Sequence, residues 1–194
     1  PFKELPSTTT CSLGAFLELT HVLPIETCNQ SWLHDERYGS LLHAKTNGGR
    51  HYQERGLHIG FVRVEDFATD DTAETDFYIR ARRAAKFAGF QNAEAAQFVA
   101  AIVELYNNVV EHSGAVSSAY VAFAAYERCF EFIVADAGIG VLESLKSCPK
   151  FASLSDCGSA LELALTEGVS RLAIDPDRGR GFRPIFVGLA NVSE

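Results

Sequence analysis

The feature that most constrains the fold is residues 93–112, AEAAQFVAAIVELYNNVVEH, which read as one long helix. Apolar residues recur in it at three- and four-residue spacing, which is typical of the buried face of an amphipathic helix. They are Phe98, Ile102, Leu105 and Val109. A helix with such a face must pack against another layer of structure, so we expect the domain core to form around it.

A second, polar stripe runs along the same predicted helix. Glu104, Asn108 and His112 are four residues apart, so their side chains lie along one flank of the helix. The pair Asn107-Asn108 is not favoured by helix propensity, because asparagine competes with the backbone for hydrogen bonds. A local misfit of this kind often marks a functional site. The pattern predicts that this flank forms the wall of a pocket.

The composition is that of a globular chain, and the chain is long enough to form one domain. It has 194 residues, of which 47% are hydrophobic and 22% charged. No apolar run approaches the ~18 residues that a membrane span needs, and residues 1–6 lack the apolar segment of a secretory signal. The net charge of −8 disfavours nonspecific binding to nucleic acid. We expect a cytoplasmic protein without a membrane span or a nucleic-acid partner.

The cysteines and the N-terminal histidines raise a metal hypothesis. The five cysteines contain no C-x-x-C pair, so reduced thiols are the simpler interpretation. The spacings of the histidines match no compact set of zinc ligands, so dispersed surface histidines fit the pattern better. We assign them no role, and a metal-dependent hydrolase stays open as an alternative. The residues concerned are Cys28, His34, His43, His51 and His58.

An acidic, threonine-rich segment, residues 66–76, predicts a loop or a boundary. We therefore expect an N-terminal region of unclear structure at 1–75, with a separate small subdomain as one alternative, and a second domain at 76–194. Residues 58–64 alternate as a short strand does, and residues 77–90 have helical composition. Asn92 is the expected N-cap of the long helix, with Glu94 in its first turn.

After the long helix, residues 118–126 and 130–136 are rich in aromatic and β-branched side chains. Their short connection predicts an antiparallel hairpin. In the second strand, alternation places Asp136 on the same face as Phe130 and Phe132. Further helices are predicted at 139–147 and 159–168, the second opening with a capping box from Ser159 to Glu162.

Three motifs stand in order along the chain. They are the helix with Glu104, Asn108 and His112, the run Asp136-Ala137-Gly138-Ile139-Gly140 after a strand, and Gly179-Arg180-Gly181 before a last apolar segment. Together they resemble the GHKL superfamily of ATPases and kinases over residues 76–192. The likeness is greatest to the ATP-binding domains of anti-sigma-factor kinases and sensor histidine kinases. It implies an α/β two-layer sandwich, the Bergerat fold, with helices on one face of a mixed, mainly antiparallel sheet.

The resemblance also implies roles on the long helix. Asn108 would bind Mg²⁺ through its side-chain oxygen, a hard ligand suited to a hard cation. Glu104 would be catalytic, orienting the site or polarising the attacking water as a general base. His112 would face the phosphates of the nucleotide, although a histidine at a helix end fits the sequence almost as well.

The two glycine-containing motifs would bind the rest of the nucleotide. Asp136 would accept the adenine amino group, and Gly138 and Gly140 would let the backbone approach the purine. The segment Gly179-Arg180-Gly181 would hold the phosphates with exposed amide groups and a positive charge. It departs from the family pattern, because Phe182-Arg183-Pro184 follows where another glycine and an aliphatic residue are common.

The expected function is therefore a regulatory domain that binds Mg-ATP and has ATPase or protein kinase activity. Its expected cofactors are ATP and Mg²⁺, and its expected partner is a protein that accepts the phosphoryl group or regulates the domain, with a homodimer as another alternative. The alternative function is a non-catalytic, nucleotide-dependent protein-interaction module. The closing strands of the fold would lie beyond Glu194, so we expect the domain to be truncated at its C-terminus.

Overall fold

A computed structural model describes residues 12–22, 38–55, 57–70 and 72–166. Its helices and strands, in chain order, are α1 (Leu13–Val22), α2 (Gly39–Asn47), β1 (His51–Arg55), β2 (Leu57–Arg63), α3 (Val64–Thr69), α4 (Ala73–Phe87), α5 (Asn92–Asn108), β3 (Tyr120–Tyr126), β4 (Cys129–Ala135), α6 (Gly140–Lys146) and α7 (Cys157–Ala164). A π-helical segment (Val109–Ser113) and two short 3₁₀ turns (Val116–Ser118 and Pro149–Phe151) complete them. Within these ranges, no helix combines the length and apolarity needed to cross a bilayer.

The four strands form one antiparallel sheet in the order β1-β2-β3-β4. The predicted strand at 58–64 is confirmed as β2, and the predicted hairpin is confirmed as β3 and β4. The hairpin turn contains Arg128, whose backbone is left-handed with φ of 59° and whose N–H donates to the carbonyl oxygen of Ala88 at 2.9 Å. This bond ties the hairpin to the C-terminal end of α4. No parallel pairing occurs among these strands, so the described sheet is antiparallel rather than mixed.

Alternate residues of the sheet enter two separate cores. On one face, Phe61 and Tyr120 pack with α1 and α2, for example with Phe16. On the other face, Val62 and Val121 pack with α4 and α5. The fold is thus α/β with helices on both faces of the sheet.

The prediction of two layers, with helices on one face only, is therefore wrong for the part of the chain that the structure describes. The physical reason lies in β3, whose sequence Tyr-Val-Ala-Phe-Ala-Ala-Tyr is apolar at every position. A strand that is apolar on both faces has to be covered on both. The layer that covers the second face comes from α1 and α2, in the N-terminal part of the sequence that gave no clear pattern.

The acidic segment that predicts a loop at 66–76 is mostly helical. Helix α3 carries Glu65 and Asp66 in its first turn, where negative charge stabilises the helix dipole, and α4 begins already at Ala73. Strands β1 and β2 also belong to the same sheet as β3 and β4. The sheet therefore draws on residues from both sides of the predicted division at 75/76.

Two helix starts differ from the prediction. The N-cap of α5 is Gln91 rather than Asn92, and the Gln91 N–H donates to Oε2 of Glu94 at 2.6 Å. Helix α7 begins at Cys157, where Asp156 is the N-cap and accepts a hydrogen bond from the Ser159 N–H at 2.9 Å. In both cases an acidic side chain satisfies a backbone donor at the helix start.

Candidate functional site

Helix α5 is held against the sheet by aromatic and aliphatic packing. Phe98 is 7% exposed, and its ring centroid lies 5.0 Å from that of Phe90 and 5.1 Å from that of Phe130 on β4. Ile102, one turn further, is buried against the same face of the sheet. With this face fixed, Glu104 is exposed to solvent and Asn108 is half-buried. The first two members of the predicted polar row therefore lie on a helix that packs against the sheet, at the edge of the core.

The last residues of the predicted helix form a π-helical segment, Val109–Ser113. Its backbone hydrogen bonds span five residues instead of four, so side-chain positions shift relative to a regular α-helix. His112 lies in this segment and does not continue the straight row of Glu104 and Asn108. Its Nε2 atom lies 3.9 Å from Oε2 of Glu111. The segment ends at Gly114, which is left-handed with φ of 68°. Single π turns are frequent at functional sites.

The Asp136 to Gly140 segment follows β4 as a tight, hydrogen-bonded loop. Oδ1 of Asp136 accepts a hydrogen bond from the Gly138 N–H at 2.7 Å, and this bond closes an Asx-turn. The Ala137 N–H donates to Oγ of Ser118 at 3.1 Å. Oδ2 of Asp136 accepts no hydrogen bond from the residues that the structure describes. The carboxylate thus fixes its own loop with one oxygen and leaves the other for a further donor.

This loop packs directly onto the π-helical segment. The Ile139 N–H donates to the carbonyl oxygen of Ser113 at 2.9 Å. A Cβ atom on Gly138 would come within 2.7 Å of the Ser113 Cβ and nearer still to its carbonyl oxygen. Glycine at 138 is therefore required by the close approach of the two segments, even without a ligand. Close approach of the backbone to a purine, the reason expected from the resemblance, is not needed to explain why this residue is glycine.

Gly140 has a different structural role. Its φ is +74°, a conformation that glycine adopts without strain, and a Cβ there would meet no atom within 4 Å. The residue turns the chain from the loop into α6, which begins at Gly140. Both glycines of the motif thus have a local explanation. Gly138 is explained by its contact with Ser113, and Gly140 is explained by its positive φ.

Of the three predicted motifs, the structure brings two together. The loop that contains Asp136, Gly138 and Gly140 lies against the end of the helix that carries Glu104 and Asn108, through the contact with Ser113. The third motif lies outside the described residues. It comprises Gly179, Arg180 and Gly181, with Arg178 and Arg183 beside them.

Sequence reasoning missed the two serines that hold the loop. Ser113 supplies the carbonyl oxygen for Ile139, and Ser118 supplies the hydroxyl for Ala137. The sequence offers one signal, because Ser113-Gly114 marks the end of the long helix and a helix end exposes carbonyl groups that need donors. Nothing in the sequence indicates that those donors come from residues 137–139.

Apolar side chains are exposed around the same junction. The exposed fraction is 45% for Val110, 50% for Ile139 and 36% for Val141. Val110 lies in the π-helical segment, Ile139 in the loop and Val141 at the start of α6. Exposed apolar residues that collect near polar groups are a common property of binding surfaces.

The described residues contain no group of three or more histidine, cysteine, aspartate or glutamate side chains arranged to hold a metal ion. His58 instead stacks on Phe87, with 4.0 Å between ring centroids. Cys28 and His34 lie outside the described residues. A magnesium site of the expected kind is a different case, since Mg²⁺ often takes only one or two protein ligands and completes its shell with phosphate oxygens and water.

Comparison of the chain with protein-family models, with curated proteins and with solved structures finds no match in any of the three.

Proposed function

We propose that this protein is a regulatory domain that binds Mg-ATP and has ATPase or protein kinase activity, similar to histidine-kinase-like or anti-sigma-factor-kinase-like domains. The observation that carries the proposal is the hydrogen bond of 2.9 Å from Ile139 to Ser113. It brings the Asp136 loop to the end of the helix that carries Asn108, and these are two of the three motifs that carry the resemblance.

A nucleotide needs a hydrogen-bond acceptor for its base and a cation ligand near its phosphates. The junction offers a carboxylate for the first and a side-chain amide for the second. In the proposal, Oδ2 of Asp136 accepts the exocyclic amino group of adenine, because it is the acceptor not used within its own loop. The side-chain oxygen of Asn108 would hold Mg²⁺, which would partly neutralise the charge of the phosphates. Asn108 is half-buried, which supports this role because partial burial limits the rotamers that a side chain can adopt.

Glu104 is the proposed general base. It is exposed on the same flank as Asn108, one helical turn earlier, and is therefore accessible to a water molecule or to a hydroxyl group of a partner. Proton transfer from water gives an ATPase, and proton transfer from a protein side chain gives a kinase. We propose that the acceptor, if there is one, is a separate protein and that the domain functions in the cytoplasm.

Isothermal titration of the full chain with ATP, with and without magnesium, tests the proposal directly. We expect saturable binding that is stronger with magnesium. A folded protein that releases no heat and shows no competition with a fluorescent nucleotide at millimolar ATP would contradict it. GTP is the matched control, because its ring presents a carbonyl where adenine presents the amino group that Asp136 would accept.

A second function, a nucleotide-dependent interaction module without catalysis, is supported by the exposed Val110, Ile139 and Val141. These side chains offer an apolar surface for a partner next to the nucleotide groups. The variant Glu104→Gln separates the two functions. If the parent hydrolyses ATP and the variant binds ATP without turnover, the protein is an enzyme; if the parent binds ATP without turnover, the module is supported. Glu127→Gln, at the exposed hairpin turn, is the control.

A further inference from the structure

Helix α4 carries a cluster of positive charges on its solvent-facing side. Arg82, Arg83 and Lys86 are exposed, and the helix has no acidic residue after its first turn. Among the described residues none of the three forms an ion pair, whereas Arg80 on the same helix pairs with two carboxylates. Lys86 lies in the last turn, where positive charge stabilises the helix dipole. Arg82 and Arg83 precede that turn, so the dipole does not explain them.

Two large apolar side chains are exposed on the same side of the helix. Ile79 is 45% exposed and Phe87 is 49% exposed, and Arg83 lies midway between them in the sequence. Residues at this spacing are about 12 Å apart along the helix axis. The opposite side of α4, which includes Phe77 and Ala81, is fully buried in the core. The exposed side chains are called here the basic face of α4: Ile79, Arg82, Arg83, Lys86 and Phe87.

The ring of Phe87 is held in place although about half of its surface is exposed. It stacks on His58 of β2, with 4.0 Å between the ring centroids and 18° between the ring planes. An aromatic side chain that is already ordered loses little conformational entropy on binding. Aromatic residues and arginine are also enriched in protein interfaces. The basic face of α4 therefore has the composition of a docking surface and a preordered aromatic side chain.

We propose that the basic face of α4 binds an acidic amphipathic helix of a partner protein. Apolar side chains two turns apart on the partner contact Ile79 and Phe87. Carboxylates beside them pair with Arg82, Arg83 and Lys86. Arginine binds a carboxylate through two parallel hydrogen bonds, so these pairs orient the partner as well as attract it.

This face is remote from the proposed nucleotide groups. The end of α4 lies at the β3–β4 turn, because the Arg128 N–H donates to the carbonyl oxygen of Ala88 at 2.9 Å. Asp136 follows the opposite end of β4, a strand of seven residues, which is about 20 Å long. The inference therefore does not depend on nucleotide binding.

The net charge of the chain distinguishes between classes of acidic partner. At −8, the molecule repels an extended polyanion such as a nucleic acid or an anionic membrane, which meets more of its surface than one helix face. A short helix contacts only that face, and at physiological salt charges more than ~8 Å away are largely screened. A second copy of this chain fits less well, since Asp76 in the acidic first turn of its α4 already pairs with Arg80.

The experiment measures the fluorescence anisotropy of a fluorescein-labelled peptide titrated with the full chain in the absence of nucleotide. The peptide has about 16 residues, enough for a marginal helix, with leucines along one side and glutamates on both flanks. The control peptide has glutamine in place of every glutamate. We expect saturable binding of the acidic peptide, about tenfold tighter than the control and weakened by sodium chloride. No saturable binding, or equal binding of the two peptides, overturns the proposal.

Variants assign the binding to this face. Arg82→Gln/Arg83→Gln removes two exposed charges, so we expect an intact fold by circular dichroism and binding weaker by about tenfold or more. Ile79→Ala removes an exposed apolar contact and is expected to weaken binding several-fold. The matched control is Lys146→Gln/Lys150→Gln, which removes the same charge from α6 and the turn after it. Equal binding by the two double variants, or by Ile79→Ala and the parent, overturns the proposal.

Two further measurements identify a different occupant. Cosedimentation with vesicles that contain phosphatidylserine tests an anionic membrane, and analytical ultracentrifugation of the parent alone tests a second copy of the chain. We expect no pelleting with vesicles that depends on Arg82 and Arg83, and no dimer that their substitution dissociates. Either of these results would assign the face to a membrane or to a homodimer and would overturn the proposal.

Discussion

Gly138 lies so close to Ser113 that the two backbones leave no room for a side chain between them. A Cβ built on Gly138 would be 2.7 Å from the Ser113 Cβ, far inside the normal contact distance. The loop after β4 and the π-helical segment after α5 are therefore packed backbone to backbone. This contact joins the two sequence motifs from which the proposed function follows.

The first prediction concerns this contact. Gly138→Ala forces the loop away from Ser113, and we expect the free energy of unfolding to fall by about 2 kcal/mol or more. The matched control is Gly14→Ala in α1, where a Cβ would meet no atom within 4 Å and alanine favours the helix. Urea unfolding measures both variants. Equal stability of Gly138→Ala and the parent would show that the loop does not pack on Ser113.

The second prediction separates the two oxygens of Asp136. Asn at this position still accepts the Gly138 N–H through its own oxygen, so Asp136→Asn keeps the turn, but it replaces the second acceptor with a donor. We expect ATP binding to weaken by about 1–3 kcal/mol with little loss of stability. Asp156→Asn is the control, because Asp156 also accepts a backbone N–H, at the start of α7. Competition with a labelled nucleotide measures the change, and unaltered affinity would remove Asp136 from the adenine site.

The third prediction uses the adjacent asparagines of α5. Asn108 is half-buried and Asn107 is exposed. We expect Asn108→Ala to abolish the magnesium dependence of ATP binding while the protein stays folded, and Asn107→Ala to behave like the parent. Titrations with and without magnesium, together with far-UV circular dichroism, provide the comparison. If both variants retain the dependence, another residue binds the metal.

The fourth prediction is a pH dependence. His51 lies half-buried on β1, and burial lowers its pKa from the ordinary value of 6.5. The unfolded chain therefore takes up the proton more readily than the folded chain. The resulting contribution to stability is fully present above pH 6.5 and is lost as the pH falls through the lower pKa of the folded state.

The variant His51→Gln checks this sign, since glutamine does not titrate. Chemical unfolding of parent and variant at a series of pH values should give a shallower loss of stability for the variant below pH 6.5. Parallel stability curves for the two proteins over this range would show that His51 is not responsible.

The sequence predicts the parts of this fold whose pattern is local. The long helix follows from the spacing of Phe98 and Ile102, and the hairpin from the aromatic strands on either side of Arg128. The acidic composition of segment 66–76 predicts a loop, whereas in the structure Asp66, together with the preceding Glu65, stabilises the first turn of α3. The π-helical segment has no signature in the spacing of residues, so the displacement of His112 was not predictable.

The candidate site was predictable only in part. The sequence indicates that Glu104, Asn108 and Asp136 have side chains suited to a nucleotide site, and the order of their motifs along the chain predicts that they share one site. The contacts that join the two motifs depend on backbone groups of Ser113 and Ile139, which no side-chain pattern reveals.

Strand β3 supplies alternate residues to two cores, which limits how this chain can change over evolution. A single inserted or deleted residue in the strand would exchange the side chains of the two faces and disrupt both cores at once. Substitutions of similar volume carry no such penalty. We therefore expect divergent versions of this protein to vary in the identity of the β3 residues while keeping the number of residues between Ser118 and Arg128 constant.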